Sequence, residues 1–206
     1  MSLLDLQAGG LTGLSDAELL EAANEYLTIN RDDVQQNQIR YYKPANATVA
    51  QIHPALEKTI AIGGGNGAGK TDHALVEMVI RATGQVPECL KGLYPAEKLQ
   101  GPIACRVVVE SLTTTLLPII LPKLQWYKWS GVGKPSSNQG HWGWVPKHCL
   151  IDGSWKKSYD PRLRILRLLY REPDTELVVG ESTVQFMSYD QDPSDFASGD
   201  FHFILH

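Results

Sequence analysis

Cysteines and long apolar runs are both scarce in this sequence. The 206 residues include three cysteines, Cys89, Cys105 and Cys149, whose odd number and irregular spacing match neither a disulfide framework nor a cysteine-based metal site. No signal peptide opens the chain, and no apolar run approaches the length of a membrane span. The simplest prediction is a protein of the reduced cytosol that has no membrane partner.

Charge of one sign is not in large excess either, since the net charge is −4. Any contact with nucleic acid is therefore expected to be local. Residues 123–171 hold ten Lys or Arg against two acidic residues, a net charge of +8, whereas the rest of the chain carries −12. Basic residues interleaved with aromatic ones favour contact with phosphate backbone or exposed bases, but a solvated loop that its tryptophans anchor to the core remains the alternative. This window contains all five tryptophans: Trp126, Trp129, Trp142, Trp144 and Trp155.

Glycine, by contrast, is concentrated in one stretch, since residues 59–71 read TIAIGGGNGAGKT. The apolar, β-branched run at residues 59–62 predicts a short buried strand. The following residues fit the phosphate-loop pattern of Gly, four residues and then Gly-Lys-Thr. These residues are Gly64, Gly65, Asn66, Gly67, Ala68, Gly69, Lys70 and Thr71.

The chemistry of a phosphate loop requires these residue types. Glycines let backbone N–H groups turn inward on a nucleotide phosphate, and a helix starting near Lys70 directs its positive end at the same anion. Lys70 is expected to reach the β- and γ-phosphates of ATP, and the Thr71 hydroxyl to ligate Mg²⁺. The predicted helix should stop at Gly84. The alternative is a glycine-rich turn that binds nothing. The helix is predicted from apolar residues at helical spacing, namely Ala74, Leu75, Met78, Val79 and Ala82.

The segment upstream of the phosphate loop indicates recognition of adenine. Tyr41 and Tyr42 come first, and Gln51 follows shortly before the loop. A glutamine amide matches the N6/N7 edge of adenine, and an aromatic ring stacks on a base. An ordinary solvated glutamine is the alternative that the sequence leaves open. Residues 1–40 are predicted to form an N-terminal arm with a helix over residues 16–28.

Strands and helices alternate through residues 41–206, the predicted core domain. Residues 105–109 predict a second buried strand, and Ser111 is expected to cap a helix that runs to about Leu121, limited by Pro118 and Pro122. Further strands are predicted within residues 162–170, 183–187 and 201–205, the last of them buried, and residues 130–145 are predicted to form a loop. This pattern predicts an α/β fold with a mostly parallel central sheet flanked by helices.

The end of the sequence bears on catalysis. A phosphate-loop ATPase places acidic residues at the carboxyl end of a buried strand, where they hold Mg²⁺ and polarise the attacking water. The terminal segment FHFILH has the character of such a strand, but Asp200 precedes it. We therefore expect the acidic pair to lie beyond His206, and this chain to hydrolyse ATP weakly.

The phosphate loop, Gln51, the segment FMSYDQ at residues 186–191 and the terminal FHFILH together resemble the N-terminal ATPase domain of the large terminase subunit of tailed bacteriophages, over roughly residues 40–206. The resemblance implies a P-loop NTPase fold and a motor that hydrolyses ATP to pump double-stranded DNA into a prohead in the host cytoplasm. It also implies a nuclease domain after the ATPase domain, outside this sequence, a homo-oligomeric ring on the portal, and the small terminase subunit as a partner. Carried over by position, residues 64–71 would bind the triphosphate, Lys70 would be catalytic, Thr71 would hold Mg²⁺ and Gln51 would contact adenine.

One position departs from the family pattern, because many members carry an arginine in the phosphate loop where this chain has Gly67. The arginine that stabilises the transition state is then expected elsewhere, on this chain or on a neighbouring subunit. Two other functions stay open: a nucleotide or small-molecule kinase, and a nucleotide-regulated DNA-binding or assembly module without catalysis. The candidate arginines are Arg162, Arg164, Arg167 and Arg171.

Overall fold

A five-stranded mixed sheet forms the centre of the computed structural model, which describes residues 15, 17, 19–21, 33–34, 36–65, 68–125, 143–196 and 199–206. β1 pairs in parallel with β4 and β5, whereas β3 is antiparallel to β4 and β2. The strands in chain order are β1 (Ala104–Val109), β2 (Tyr159–Asp160), β3 (Ile165–Arg171), β4 (Val178–Ser188) and β5 (Phe203–Leu205), and their order across the sheet is β2-β3-β4-β1-β5.

The fold is therefore α/β as predicted, and the sheet is mixed: its core of β4, β1 and β5 is parallel, as expected, whereas β3 and β2 add an antiparallel side. β3 and β4 are joined by six residues, 172–177, and so short a connection permits an antiparallel hairpin but not a parallel crossover. The helices are α1 (Ala47–Ala50), α2 (Lys70–Thr83), α3 (π-helical Leu112–Ile120 continuing as α-helical Leu121–Leu124), α4 (Trp155–Ser158) and α5 (Pro193–Phe196). Short 3₁₀ turns lie at Gln38–Tyr41, Glu88–Leu90, Ala96–Lys98, Lys147–Cys149 and Ile151–Gly153.

Helix α2 forms much of the core and confirms the predicted helix after the glycine-rich loop. It packs against β1, β3, β4 and β5, and its apolar side chains are removed from water. Gly84 ends it in the left-handed conformation, with φ of 74°. A Cβ at Gly84 would lie 2.0 Å from the carbonyl oxygen of Arg171, so this position requires glycine for space as well as for conformation. The buried apolar residues of α2 are Leu75, Val76, Met78, Val79, Ile80 and Ala82.

The predicted strand at residues 105–109 is confirmed as β1, which is buried from Cys105 onward. Ser111 caps α3 as predicted, since its side-chain oxygen accepts a hydrogen bond from the backbone N–H of Thr114. The helix runs past the predicted limit to Leu124. Pro118 lies within the π-helical segment, and Pro122 is the second residue of the α-helical segment that continues it, so neither proline ends the helix.

The predicted buried strand at residues 59–62 is wrong. These residues have no strand conformation, and Ile60 is 38% exposed. β-branched residues favour strands where a neighbouring strand pairs with them and a core covers them. None of the five described strands pairs with this segment. An apolar run alone therefore did not decide its structure.

The terminal segment confirms a strand but not its burial. β5 lies at the edge of the sheet and pairs with β1 only, so Ile204 is 46% exposed. β3 begins at Ile165 rather than Arg162, because residues 161–164 form a turn in which Arg164 takes a left-handed φ of 55°. β4 contains the predicted residues 183–187 and is the neighbour of β3.

The predicted arm is described only in part. Residues 17 and 19–21 are helical, in agreement with part of the helix predicted over 16–28, and the remainder of that helix lies outside the described residues. Residues 126–142 also lie outside the described residues. They include most of the predicted loop at 130–145, together with Trp126, Trp129 and Trp142. Over the part of the chain that is described, no helix combines the length and apolarity needed to cross a membrane.

Candidate functional site

The glycine-rich loop leads directly into helix α2. Asn66 and Gly67 lie outside the described residues, whereas 59–65 and 68–71 are described. Gly69 precedes the helix with a left-handed φ of 76°, and a Cβ there would lie 3.3 Å from the His73 ring and 3.4 Å from the Cβ of Ala45. A left-handed glycine at this junction turns the loop onto the amino end of the helix.

Lys70 is the first residue of α2, and its side chain folds back over the loop. The ammonium donates hydrogen bonds to the carbonyl oxygens of Gly64 and Gly65, at 2.7 and 2.8 Å. The backbone N–H groups of the first turn point out of the amino end of α2 and give that end a partial positive charge. A lysine and a helix terminus thus converge on one small region, an arrangement suited to an anion.

Thr71 and Asp72 complete the first turn. Thr71 is exposed. The carboxylate of Asp72 accepts hydrogen bonds from Lys123 Nζ at 2.6 Å and from Trp144 Nε1 at 3.0 Å. Trp144 and Trp155 both pack against the core, as expected if the tryptophans anchor the basic segment 123–171 to it.

The opposite end of α2 is placed by two contacts. The Arg81 guanidinium lies 5.0 Å from the ring centroid of Phe203, where β5 begins, and Gly84 abuts Arg171 at the end of the antiparallel β3. The carboxyl end of α2 therefore lies at the edge of the sheet where β1, β4 and β5 begin. A helix of 14 residues is about 21 Å long, which carries the glycine-rich loop well away from that edge.

The predicted adenine-binding residues differ in their exposure. Gln51 is exposed and directly follows α1. Tyr41 is 40% exposed, whereas Tyr42 is 4% exposed and so has no free ring face for a base. Of the two predicted tyrosines, only Tyr41 is thus accessible for stacking.

A buried polar network lies next to this site, and sequence reasoning missed it. The Tyr42 hydroxyl is hydrogen-bonded to His53 Nε2 at 2.9 Å and to His73 Nδ1, and His53 Nδ1 contacts Glu77 Oε2 at 2.9 Å. His73 and Glu77 lie four residues apart on α2, a spacing that places them on one face. That spacing was the available signal, but the partners Tyr42 and His53 are distant in sequence.

Glu77 is the ionised centre of the network. Its other oxygen accepts hydrogen bonds from Arg81 Nε at 2.8 Å, Lys98 Nζ at 3.0 Å and Tyr94 OH at 3.0 Å. Burial by itself raises the pKa of Glu77, but the hydrogen bond from His53 and the charges of Lys98 and Arg81 outweigh burial and lower the pKa to about 2.

Burial lowers the pKa of His73 below its usual value, so the His73 ring is neutral near pH 7. Burial also raises the pKa of Tyr42, which keeps the hydroxyl protonated. A neutral ring and a protonated hydroxyl are both able to donate one hydrogen bond and accept another.

Two of the four candidate arginines are engaged within the chain itself. Arg171 donates to the carbonyl oxygen of His148 at 3.1 Å and to that of Glu176 at 2.7 Å. Arg167 donates to the carbonyl oxygen of Lys157 at 3.2 Å. For Arg162 and Arg164 no comparable side-chain contact decides a role, and none of the four is brought to the glycine-rich loop by a described contact.

The segment FMSYDQ turns the chain at the carboxyl end of β4. Gln191 Oε1 accepts a hydrogen bond from the backbone N–H of Ser188 at 2.9 Å, and the N–H of Tyr189 donates to the carbonyl oxygen of Val109 at 3.1 Å. The ring of Tyr189 stacks on His206. These polar residues therefore cluster where β1 and β4 end.

Comparison with known proteins adds no relative. No protein-family model, curated protein or solved structure matches this chain. Among the described residues, no group of three or more His, Cys, Asp or Glu side chains forms a metal site.

Proposed function

We propose that this chain is the ATPase domain of a viral DNA-packaging motor, which binds ATP and Mg²⁺ at residues 64–71 and couples hydrolysis to translocation of double-stranded DNA. One observation carries the proposal: a glycine-rich loop enters a helix of 14 residues through left-handed Gly69, and Lys70 extends its ammonium over that loop. The sequence pattern and this junction together suit a triphosphate better than a turn that binds nothing.

The roles of the residues follow from their chemistry. Phosphate oxygens form stronger charge-assisted hydrogen bonds with an ammonium than carbonyl oxygens do. On nucleotide binding, Lys70 would exchange the carbonyls of Gly64 and Gly65 for the β- and γ-phosphates. Mg²⁺ in such sites takes few protein ligands besides phosphates and waters, so the single hydroxyl of Thr71 fits it. Gln51 would contact the adenine base.

The basic surface that would contact DNA lies around α4 and the edge strand β2. Lys156 and Lys157 are exposed on α4, and Lys157 pairs with Asp152 at 2.7 Å. The contact between Arg167 and the Lys157 carbonyl brings a further exposed cation to this face. In the proposed motor, a homo-oligomeric ring on the portal, working with the small terminase subunit in the host cytoplasm, holds the DNA phosphates against such a surface.

The proposal is tested first by nucleotide binding. Lys70→Ala should weaken ATP affinity by about 100-fold, because it removes charge-assisted hydrogen bonds to phosphate. Lys58→Ala is the matched control, since Lys58 is an exposed lysine upstream of the loop and its loss should leave affinity unchanged. Titration calorimetry measures both, and equal affinities of the Lys70 variant and the original chain would refute phosphate binding.

Turnover then separates the candidate activities. The assay is run with this chain and with one extended past His206, because the motor predicts only weak hydrolysis by the present chain. Turnover that double-stranded DNA stimulates in the extended chain supports the motor, phosphoryl transfer to a small acceptor supports a kinase, and binding without turnover in either chain supports a regulated module. Replacing both Lys156 and Lys157 by Ala should reduce the slope of log affinity for DNA against log salt by about 2, whereas Lys91→Ala should not. An unchanged slope would remove α4 from the DNA-binding surface.

A further inference from the structure

A buried hydrogen-bond chain links α2 to the segment that carries Gln51. Its five members are, in order, the backbone N–H of Ala45, the His73 ring, the Tyr42 hydroxyl, the His53 ring and the Glu77 carboxylate. The four side chains are between 0% and 5% exposed, so water does not satisfy them. Each link must therefore be made within the protein.

The two ends of this chain fix the direction of every hydrogen bond in it. The N–H of Ala45 can only donate, at 3.4 Å to His73 Nε2, so the proton of the neutral His73 ring must be on Nδ1. His73 Nδ1 then donates to the Tyr42 oxygen, and the single hydroxyl proton of Tyr42 is left for His53 Nε2 at 2.9 Å. His53 Nδ1–H finally donates to the Glu77 carboxylate at 2.9 Å.

The reverse direction is excluded by both ends. A backbone N–H cannot accept a hydrogen bond, and the ionised Glu77 carboxylate cannot donate one. Both rings therefore donate through Nδ1 and accept through Nε2, and every hydrogen bond of the series has one assigned direction. Removing any one member leaves a buried polar atom without its partner.

This series of hydrogen bonds joins two parts of the protein. One would contact the base of a nucleotide, and the other would contact its phosphates. Tyr42 and His53 bracket the segment that holds Gln51, and Lys98 Nζ further fixes that segment by donating to the His53 carbonyl oxygen at 2.7 Å. His73 lies three residues after Lys70, on the same helix. The position of Gln51 relative to the glycine-rich loop thus depends on these buried links.

We propose that Tyr42, His53 and His73 are positioning residues for base recognition, which hold Gln51 in register with the phosphate-binding end of α2. This inference rests on the proposed function for its ligand, an adenine nucleotide. It assigns the three residues no contact with that ligand. Phosphate binding should not depend on the buried hydrogen bonds of Tyr42, His53 and His73, whereas the preference for adenine should depend on them.

The direction of the chain is tested without any ligand. In protein labelled with ¹⁵N-histidine, long-range ¹H–¹⁵N spectra at pH 7.5 distinguish the two neutral tautomers from the cation. His53 and His73 should both appear as neutral Nδ1–H tautomers, assigned by the loss of each signal in His53→Gln and His73→Gln. An Nε2–H tautomer or a cation at either position would refute the assigned directions of the hydrogen bonds.

The positioning role is tested by affinities for ATP, GTP and inorganic tripolyphosphate. Tyr42→Phe should reduce the preference for ATP over GTP by about tenfold, the effect of one misplaced hydrogen bond, and change tripolyphosphate affinity by less than twofold. Tyr94→Phe is the matched control, because it also removes a tyrosine hydroxyl next to this network: the half-buried Tyr94 donates to Glu77 at 3.0 Å but is not a member of the series from Ala45 to Glu77.

The outcomes separate the two proposals. If tripolyphosphate binds and Tyr42→Phe leaves the ATP preference unchanged, or changes it no more than Tyr94→Phe does, the positioning role is wrong and the phosphate site stands. If the original chain binds neither ATP nor tripolyphosphate, the proposed function fails and base positioning fails with it. If Tyr42→Phe alone loses base preference, both proposals are supported.

Discussion

Removal of the buried charge at Glu77 is the perturbation whose magnitude the structure defines best. Glu77→Gln keeps the shape of the side chain but deprives Lys98, whose side chain is 4% exposed, of its carboxylate partner at 3.0 Å. Breaking a buried pair from one side costs about 3–5 kcal/mol, because the remaining charge stays desolvated. A pKa of about 2 against an ordinary 4.5 corresponds independently to about 3 kcal/mol. Both routes give a substantial fraction of a typical folding free energy.

Urea denaturation at pH 7 measures the effect, with Glu88→Gln as the control. Glu88 also has two cationic partners, Arg40 and Lys91, but its side chain is 48% exposed and such pairs contribute at most about 1 kcal/mol. The contribution of Glu77 should be fully present above pH 4.5 and be lost as the pH falls toward 2, since the folded-state pKa is the lower one. Glu77 is not an ionised, stabilising carboxylate if Glu77→Gln lowers the free energy of unfolding by no more than Glu88→Gln does. The same conclusion follows if the effect of Glu77→Gln is equal at pH 3 and pH 7.

Two further substitutions test the backbone at the ends of helices. Gly84→Ala should destabilise the fold by well over the roughly 1–2 kcal/mol of left-handed strain, because the added Cβ would meet the carbonyl oxygen of Arg171 at 2.0 Å. Gly92→Ala, with φ of 77° and no atom within 4 Å of the added Cβ, should cost the strain alone, and equal thermal shifts for the two would contradict the clash. Ser111→Ala should cost about 1 kcal/mol of unfolding free energy through loss of the cap on Thr114, whereas Ser111→Asp should keep it; identical values would show that the cap is not stabilising.

Features that are local in sequence were predicted well. Helix α2, its end at Gly84 and the cap at Ser111 depend on residues within a few positions of one another, and the structure confirms all three. The strand at 59–62 was predicted from an apolar run alone, and its existence depended on a partner strand that the described residues do not provide. The polar network was missed for the same reason, since Tyr42, His53 and Lys98 meet α2 from positions that are distant along the chain.

The candidate site is held in place by the contacts of helix α2 with the core, and not by the segment that precedes the glycine-rich loop. The exposed residues 59–61 lie outside the sheet and cannot hold the loop in place. The start of the helix is held instead through Asp72, whose carboxylate accepts hydrogen bonds from Lys123 and Trp144. Because the remainder of α2 is buried against four strands, these contacts attach the amino end of the helix to a rigid core. The geometry of phosphate binding should therefore follow the rigidity of this helix, while the approach of the base should follow the hydrogen bonds that tie residues 42–53 to it.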